Sequence, residues 1–168
     1  MSGEIGEYKC KIIETRRFPT FEDFRGSFTP LKLSSKPDHV REWDQINVSV
    51  NKKKGTFRGM HYQSVNPQQK YIKVVTGSII DYLYHLETKH VLSFELNNER
   101  EIFVPKDYAH GFLTLKDDTT VIYLTEGKYD PQNEHSIPFN TISEINQSVL
   151  SRFAQEDIII TEKDLLGK

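Results

Sequence analysis

A histidine and two cationic side chains lie close together in this sequence. His61 stands in the segment Phe57-Arg58-Gly59-Met60-His61-Tyr62-Gln63, Lys70 follows it, and a second histidine occurs later in Tyr108-Ala109-His110-Gly111-Phe112. A neutral imidazole can remove a proton from a carbon beside a carbonyl, and fixed cations can stabilise the enolate that forms. This combination of residues indicates an isomerising enzyme.

The composition is that of one globular domain. The 168 residues are 36% hydrophobic and 11% aromatic, enough for a core but few for two ordinary domains, so we predict a single domain over 1–168. The formal net charge of -2 gives no basic field for nucleic acid or an anionic membrane. A lone Cys10, no signal-peptide pattern and no apolar run of membrane-spanning length favour the cytoplasm.

Short segments rich in Val, Ile, Tyr and Phe alternate with turn residues, which predicts a mainly β fold. Such even spacing is typical of a sandwich or jelly-roll barrel, in which inward side chains converge on one cavity. We expect Lys52 to Gly55 to form an exposed hairpin turn and Lys73 to lie on the surface. The predicted elements are strands at 71–75, 78–86, 91–96, 101–104, 111–115 and 120–125, a helix at 141–153, and a turn at 21–26 before a strand through Phe28 and Leu31.

The chain contains a series of motifs in a fixed order along nearly its whole length. They are Asp23-Phe24-Arg25-Gly26-Ser27-Phe28, Gln45-Ile46-Asn47-Val48-Ser49, Phe57 to Gln63, Lys70, Gly77-Ser78 with Asp81, Ala109-His110-Gly111-Phe112, Tyr123, Tyr129-Asp130-Pro131 with Glu134, and Glu162-Lys163-Asp164. In this order and spacing the chain resembles the dTDP-4-dehydrorhamnose 3,5-epimerases, which are cupin-fold enzymes of nucleotide-sugar metabolism.

The resemblance implies a mainly β, cupin-like jelly-roll barrel with short flanking helices, a homodimer, and no metal or other cofactor. It implies a nucleotide-diphosphate sugar of the 4-keto-6-deoxyhexose type as substrate, and a role in rhamnose and surface polysaccharide synthesis, with glycosylated natural products as the alternative. The implied catalytic residues are His61 as base, Asp164 as the acid that orients it, Tyr123 as proton donor on the opposite face, and Lys70 beside the enolate. The implied substrate contacts are Arg25, Gln45, Asn47, Arg58, His110, Tyr129 and Glu134.

From the residues alone, several of these roles stay open. His61 and Gln63 should share one face of a strand because side chains alternate with period two. His110 could equally be a buried structural histidine, and Tyr123 could be an aromatic residue of the core. Asp164 could be a solvated acid near a chain end.

A metal site is the alternative for the same histidines. The segment that begins at Gly55 and reaches His61 after five intervening residues is similar to the opening of the metal-binding cupin motif. His110 would be the later histidine of that motif. That motif requires a histidine where this chain has Gln63, and an amide is a poor ligand for a transition metal. We therefore predict no metal, and keep a metal-dependent oxygenase as an alternative.

The chain also departs from the family pattern. Pro30 stands where the family has an acidic residue, and Tyr84-His85-Leu86-Glu87 replaces Val-Asp-Leu-Arg. These changes leave the sugar and the nucleotide base open. The alternatives are a single-site epimerase or 3,4-ketoisomerase on a different nucleotide sugar, and a sugar-nucleotide-binding module without catalysis.

Overall fold

The computed structural model describes residues 15–17, 21–23, 26–28 and 43–167. Arg25, Pro30 and Leu31 lie outside the described residues, so the expectations about them stay predictions. Among the described residues the chain forms twelve strands and two α-helices. The strands are β1 (Thr15–Arg17), β2 (Phe21–Asp23), β3 (Gly26–Phe28), β4 (Gln45–Asn51), β5 (Phe57–Gln63), β6 (Gln69–Thr76), β7 (Ser78–His85), β8 (Val91–Asn97), β9 (Arg100–Val104), β10 (Tyr108–Thr114), β11 (Thr119–Glu126) and β12 (Glu134–Ser136), and the helices are α1 (Ser143–Leu150) and α2 (Glu162–Leu166).

The strands form two five-stranded antiparallel sheets and one two-stranded sheet. The first sheet has the order β1-β9-β6-β11-β4, the second has the order β12-β5-β10-β7-β8, and β2 pairs with β3. Consecutive strands repeatedly change sheet, as in a jelly roll. The predicted mainly β, cupin-like architecture is confirmed.

The core lies on both faces of the second sheet. Between the two sheets, Ile72 and Val121 pack with Leu83 and Phe112. On the outer face, Ile145 and Val149 of α1 pack with strand residues, including Tyr82 and Leu113. Every residue of β10 is buried because this strand is covered on both sides.

The six strands predicted between residues 71 and 125 are all present with boundaries shifted by up to three residues. The strand predicted through Phe28 is present at Gly26–Phe28, and the predicted helix is shorter, at Ser143–Leu150. Two local predictions were wrong. Phe21–Asp23 is a strand paired with Gly26–Phe28 rather than part of a turn. Lys52, Lys53 and Lys54 are exposed at a turn as predicted, but Gly55 is buried, and the segment connects β4 to β5 in different sheets, so it is not a hairpin.

Lys73 is also not a surface residue, because only 2% of it is exposed. It lies on β6, in the middle of the first sheet, where its cross-strand partner on β9 is Glu101. Its amine donates hydrogen bonds to the backbone oxygens of Asn98 and Arg100. Burial lowers the pKa of Lys73 to about 8, against a smaller opposing effect of Glu99.

Candidate active site

A cavity of about 370 Å³ is lined by side chains of both sheets. Every residue predicted for the site lines it, apart from Arg25, which lies outside the described residues. From the first sheet come Gln45, Asn47, Lys70, Tyr123 and Thr125. From the second come Arg58, His61, His110, Phe112 and Glu134, with Gln68, Tyr129 and Asp164 completing the wall from other elements. Gln68, Phe112 and Thr125 also line the cavity and were not predicted as site residues.

An irregularity in β5 brings Arg58 and His61 to the same cavity. They are three positions apart, so a regular strand would place them on opposite faces. His61 pairs with His110, whereas Arg58 pairs with Phe112, only two positions along β10. The extra residue in β5 is a β-bulge, which redirects one side chain.

Two glycines allow β5 and β10 to approach closely at this bulge. A Cβ atom on Gly59 would lie 2.5 Å from the Cα atom of Gly111, and one on Gly111 would lie 2.7 Å from the carbonyl oxygen of Arg58. Gly59 also has a φ of +119°, which residues with a side chain rarely adopt. A side chain at position 59 or 111 would therefore collide with the facing strand, and these glycines lie next to the cavity histidines His61 and His110 in sequence.

His61 is paired with Asp164. The Nε2 atom of His61 lies 2.7 Å from Oδ1 of Asp164, and the backbone N–H of Gly59 donates to Oδ2 at 3.3 Å. Burial would raise the pKa of Asp164, but the hydrogen bonds and the charge interaction with His61 lower it overall. Because an ionised carboxylate only accepts hydrogen bonds, Nε2 of His61 is the donor to Asp164, and in the neutral form of the ring Nδ1 carries the lone pair.

The structure shows how a residue near the end of the sequence reaches His61. Asp164 lies in the first turn of α2, where its backbone N–H donates to the side chain of Thr161, the residue that caps the helix. Only 7% of the Asp164 side chain is exposed, so it is not a solvated surface acid. The pattern Thr161-Glu162-Lys163-Asp164 is a helix-start signal that could have located this short helix from sequence.

Lys70 and Tyr123 lie on the first sheet, which faces the sheet of His61. Burial lowers the pKa of Lys70 to about 8, although Asp81 and Glu134 oppose the decrease. Lys70 is therefore mostly protonated at neutral pH and loses its charge as the pH rises through about 8. Burial raises the pKa of Tyr123, and nearby Arg58 lowers it less than burial raises it. The Tyr123 phenol therefore keeps its proton at neutral pH.

Comparisons with known proteins place this arrangement in a family. The family model described as dTDP-4-dehydrorhamnose 3,5-epimerase matches residues 9–167. The chain belongs to this family. It is 35% identical over 107 residues to the dTDP-4-dehydrorhamnose 3,5-epimerase of Mycobacterium tuberculosis, covering 59% of this chain and 52% of the relative. It is 35% identical over 130 residues to that of Methanothermobacter thermautotrophicus, covering 72% of this chain and 66% of the relative.

The match to the Mycobacterium tuberculosis protein thus spans about half of that relative's length. Among solved structures, the dTDP-4-dehydrorhamnose 3,5-epimerase of Bacillus anthracis with TDP and PPi bound superposes with a TM-score of 0.74 at 27% identity, covering 93% of each chain. The described part of this chain therefore has the fold of that epimerase structure.

In this member of the epimerase family, His110 forms a second histidine–carboxylate pair. Its Nε2 atom lies 2.7 Å from Oδ1 of Asp81, whose side chain is fully buried. Burial lowers the pKa of His110, and Asp81 opposes the decrease. His110 is thus both buried and part of the cavity wall. Asp81 could have been found from sequence, because a carboxylate within an apolar strand needs a buried partner.

Glu134 and Tyr129, which line the cavity, form a third polar cluster with Lys163. Oε2 of Glu134 accepts hydrogen bonds from the Tyr129 hydroxyl, at 3.1 Å, and from the Lys163 amine. Burial would raise the pKa of Glu134, but the Lys163 hydrogen bond and nearby charges lower it overall. The contact between Glu134 and Lys163 links β12 to α2, the helix that carries Asp164. Lys163 had been singled out only as part of a motif.

Gln63 does not line the main cavity, although it lines a small adjoining one with His61. Its amide donates to the backbone oxygens of Asn66 and Lys128 and accepts from the backbone N–H of Asp130. It therefore holds the loop that carries Tyr129.

Within the described residues, no group of three or more His, Cys, Asp or Glu side chains is placed to hold a metal ion. In the same part of the chain, no helix has the length and apolar character needed to cross a membrane.

Proposed function

We propose that this protein is an epimerase acting on a nucleotide-linked 4-keto-6-deoxyhexose, with inversion at C3, C5 or both through an enolate. One observation carries the proposal: His61 and Tyr123 face the same cavity from opposite sheets. Inversion requires a base on one side of the carbon and a proton donor on the other. A protein that only binds the sugar has no need of such a pair.

The proposed first step is proton removal by Nδ1 of His61 from a carbon beside the C4 ketone. C3 and C5 both adjoin that ketone, so one set of groups can act at either position. The Asp164 carboxylate, 2.7 Å from Nε2, holds the ring and stabilises the imidazolium that forms. The electrons of the broken C–H bond move into the enolate.

The enolate oxygen would be stabilised by Lys70 and Arg58, which line opposite walls of the cavity. Arg58 is held by a hydrogen bond of 2.7 Å from its Nε to Oδ1 of Asn51. Tyr123 then gives its phenol proton to the opposite face, after which the imidazolium of His61 loses a proton to solvent and the tyrosinate takes one up. Proton transfer of this kind requires no redox step, so we propose that the reaction uses no metal or other cofactor.

The remaining predicted residues would contact the substrate. Gln45 and Asn47 lie on β4, and the Gln45 amide donates to Oδ1 of Asn47 at 2.6 Å. His110, Tyr129 and Glu134 line other parts of the wall. The TDP bound to the Bacillus anthracis protein supports a thymidine nucleotide as the carrier of the sugar, and Arg25 stays the predicted diphosphate partner.

The test is to incubate the protein with dTDP-4-keto-6-deoxyglucose in deuterated water and to count deuterons at C3 and C5 by NMR and mass spectrometry. We expect deuteron incorporation together with inversion, because the enolate takes its new proton from groups that exchange with solvent. Exchange at one carbon would identify a single-site epimerase. dTDP-glucose has no ketone and should gain no deuterons. Absence of exchange at both carbons would refute an epimerase for this sugar.

We further propose that the protein is a cytoplasmic homodimer, with β4 at the interface. Among the described residues β4 is an edge strand, and its Ile46, Val48 and Val50 point away from the cavity and are 64%, 62% and 60% exposed. Three apolar side chains on one edge strand form a patch that a second copy of the chain could bury.

A Val48→Glu substitution should convert the dimer to monomer, because a buried charge without a partner is costly. Light scattering after size-exclusion chromatography would measure the change. Leu150→Glu is the matched control, since Leu150 is 42% exposed on α1 and lies outside the patch. A wild-type protein that is monomeric at micromolar concentration, or a Val48→Glu protein that stays dimeric, would exclude this interface.

A further inference from the structure

Thr125 lies between two residues of the predicted site. On β11 it pairs with Lys70 of β6 on one side and with Gln45 of β4 on the other. The three side chains therefore form one cross-strand row in the cavity wall, two positions along β11 from Tyr123. Only 3% of Thr125 is exposed.

The hydroxyl of Thr125 has no hydrogen-bond partner among the described residues. Thr119, on the same strand and fully buried, instead donates to the backbone oxygen of Lys116 at 2.8 Å. A buried hydroxyl without a partner is unfavourable, and native proteins rarely keep one without a reason. A rotation of about 120° about χ1 would bring the hydroxyl to the position of the methyl group or of Hβ, and here that rotation breaks no hydrogen bond.

We propose that Thr125 is a substrate-binding residue whose hydroxyl hydrogen-bonds an oxygen substituent of the bound sugar, next to the oxygen that Lys70 contacts. The inference rests on the proposed function and adds a specificity-determining residue to it. The ligand chemistry is that of a hexose with an oxygen atom on this side of the ring. An occupant without that oxygen would leave the hydroxyl unpaired.

The test compares Thr125→Val with Thr119→Val, two substitutions of nearly the same shape on one strand. For Thr125→Val we expect KM to rise about five- to tenfold with kcat within about twofold, because a contact to the sugar is made in both ground state and transition state. Its melting temperature should stay equal or rise, since no hydrogen bond within the protein is lost. Thr119→Val should show the reverse, with a lower melting temperature and unchanged KM.

Binding measurements separate this inference from the proposed reaction. The affinity for dTDP-glucose, which the enzyme cannot enolise, should fall about five- to tenfold in Thr125→Val, while the affinity for dTDP stays unchanged. Thr125→Ser should restore most of the affinity for dTDP-glucose. The inference would be overturned if wild type and Thr125→Val bound dTDP-glucose with equal affinity. It would also be overturned if Thr125→Val lost as much affinity for dTDP as for dTDP-glucose. Absence of deuterium exchange in the wild type would instead refute the epimerase reaction, and these binding ratios would still decide the role of Thr125.

Discussion

Replacing His61 with Asn should reduce deuterium exchange at C3 and C5 of the sugar by about 10²–10⁴-fold, the range typical of losing a general base. Asn has no group that accepts a proton near neutral pH, but its amide can still donate a hydrogen bond to Asp164. Asp164 also keeps the hydrogen bond from the Gly59 N–H. The fold should therefore survive, and circular dichroism and the melting temperature would check this directly.

His135→Asn is the matched control for this experiment. His135 is exposed on β12, where its ring contacts Tyr62 and its Nε2 atom lies 2.8 Å from the Ser64 hydroxyl, and it does not line the cavity. Exchange in this variant should stay within about twofold of wild type. If His61→Asn exchanged as fast as His135→Asn, His61 would not be the base, and the proposed mechanism would be wrong.

The strands were predictable because their signals are local. Val, Ile, Tyr and Phe in short runs, separated by residues such as Gly77 and Asn97-Asn98, gave β6 to β11 within three residues at each end. The segment Phe21–Asp23 was misassigned because its acidic residues are typical of a turn, whereas pairing with Gly26–Phe28 forms a strand. Cross-strand pairing depends on a partner that local propensity does not include.

The site was harder to predict because its contacts are distant in sequence. His61 and Asp164 are 103 positions apart, and no local pattern pairs them. The bulge in β5 overrides the period-two rule, which alone would have placed Arg58 and His61 on opposite faces. Residue roles came from the family resemblance, whereas Thr125 was missed because a threonine in a strand is ordinary in sequence. Its unpaired hydroxyl is evident only from the structure.

The burial of Lys73 could not be predicted from local sequence either. A lysine in an alternating strand is expected to point to solvent. Its strand is instead central in the first sheet, where backbone oxygens of Asn98 and Arg100 accept its hydrogen bonds. Sequence alone did not indicate which strands would be central.

The second large effect is expected for Tyr123→Phe, which should separate proton removal from inversion. The phenol is the proposed proton donor, and burial raises its pKa, so it is protonated at neutral pH. Phe keeps the ring but has no proton to give. We expect the inverted product to form at least about 10²-fold more slowly. Exchange at C3 and C5 should fall only a few-fold, because His61 can remove a proton and return a deuteron to the same face.

Tyr84→Phe is the control, because Tyr84 lies on β7, packs against the outer core and does not line the cavity. It should leave both exchange and inversion unchanged. NMR distinguishes the two outcomes for Tyr123→Phe, since deuterated substrate with retained configuration and deuterated epimer give different spectra. Exchange and inversion falling by the same factor would mean that Tyr123 acts before or during proton removal. The donor on the opposite face would then have to be sought among the other groups of the first sheet, with Lys70 as the first candidate.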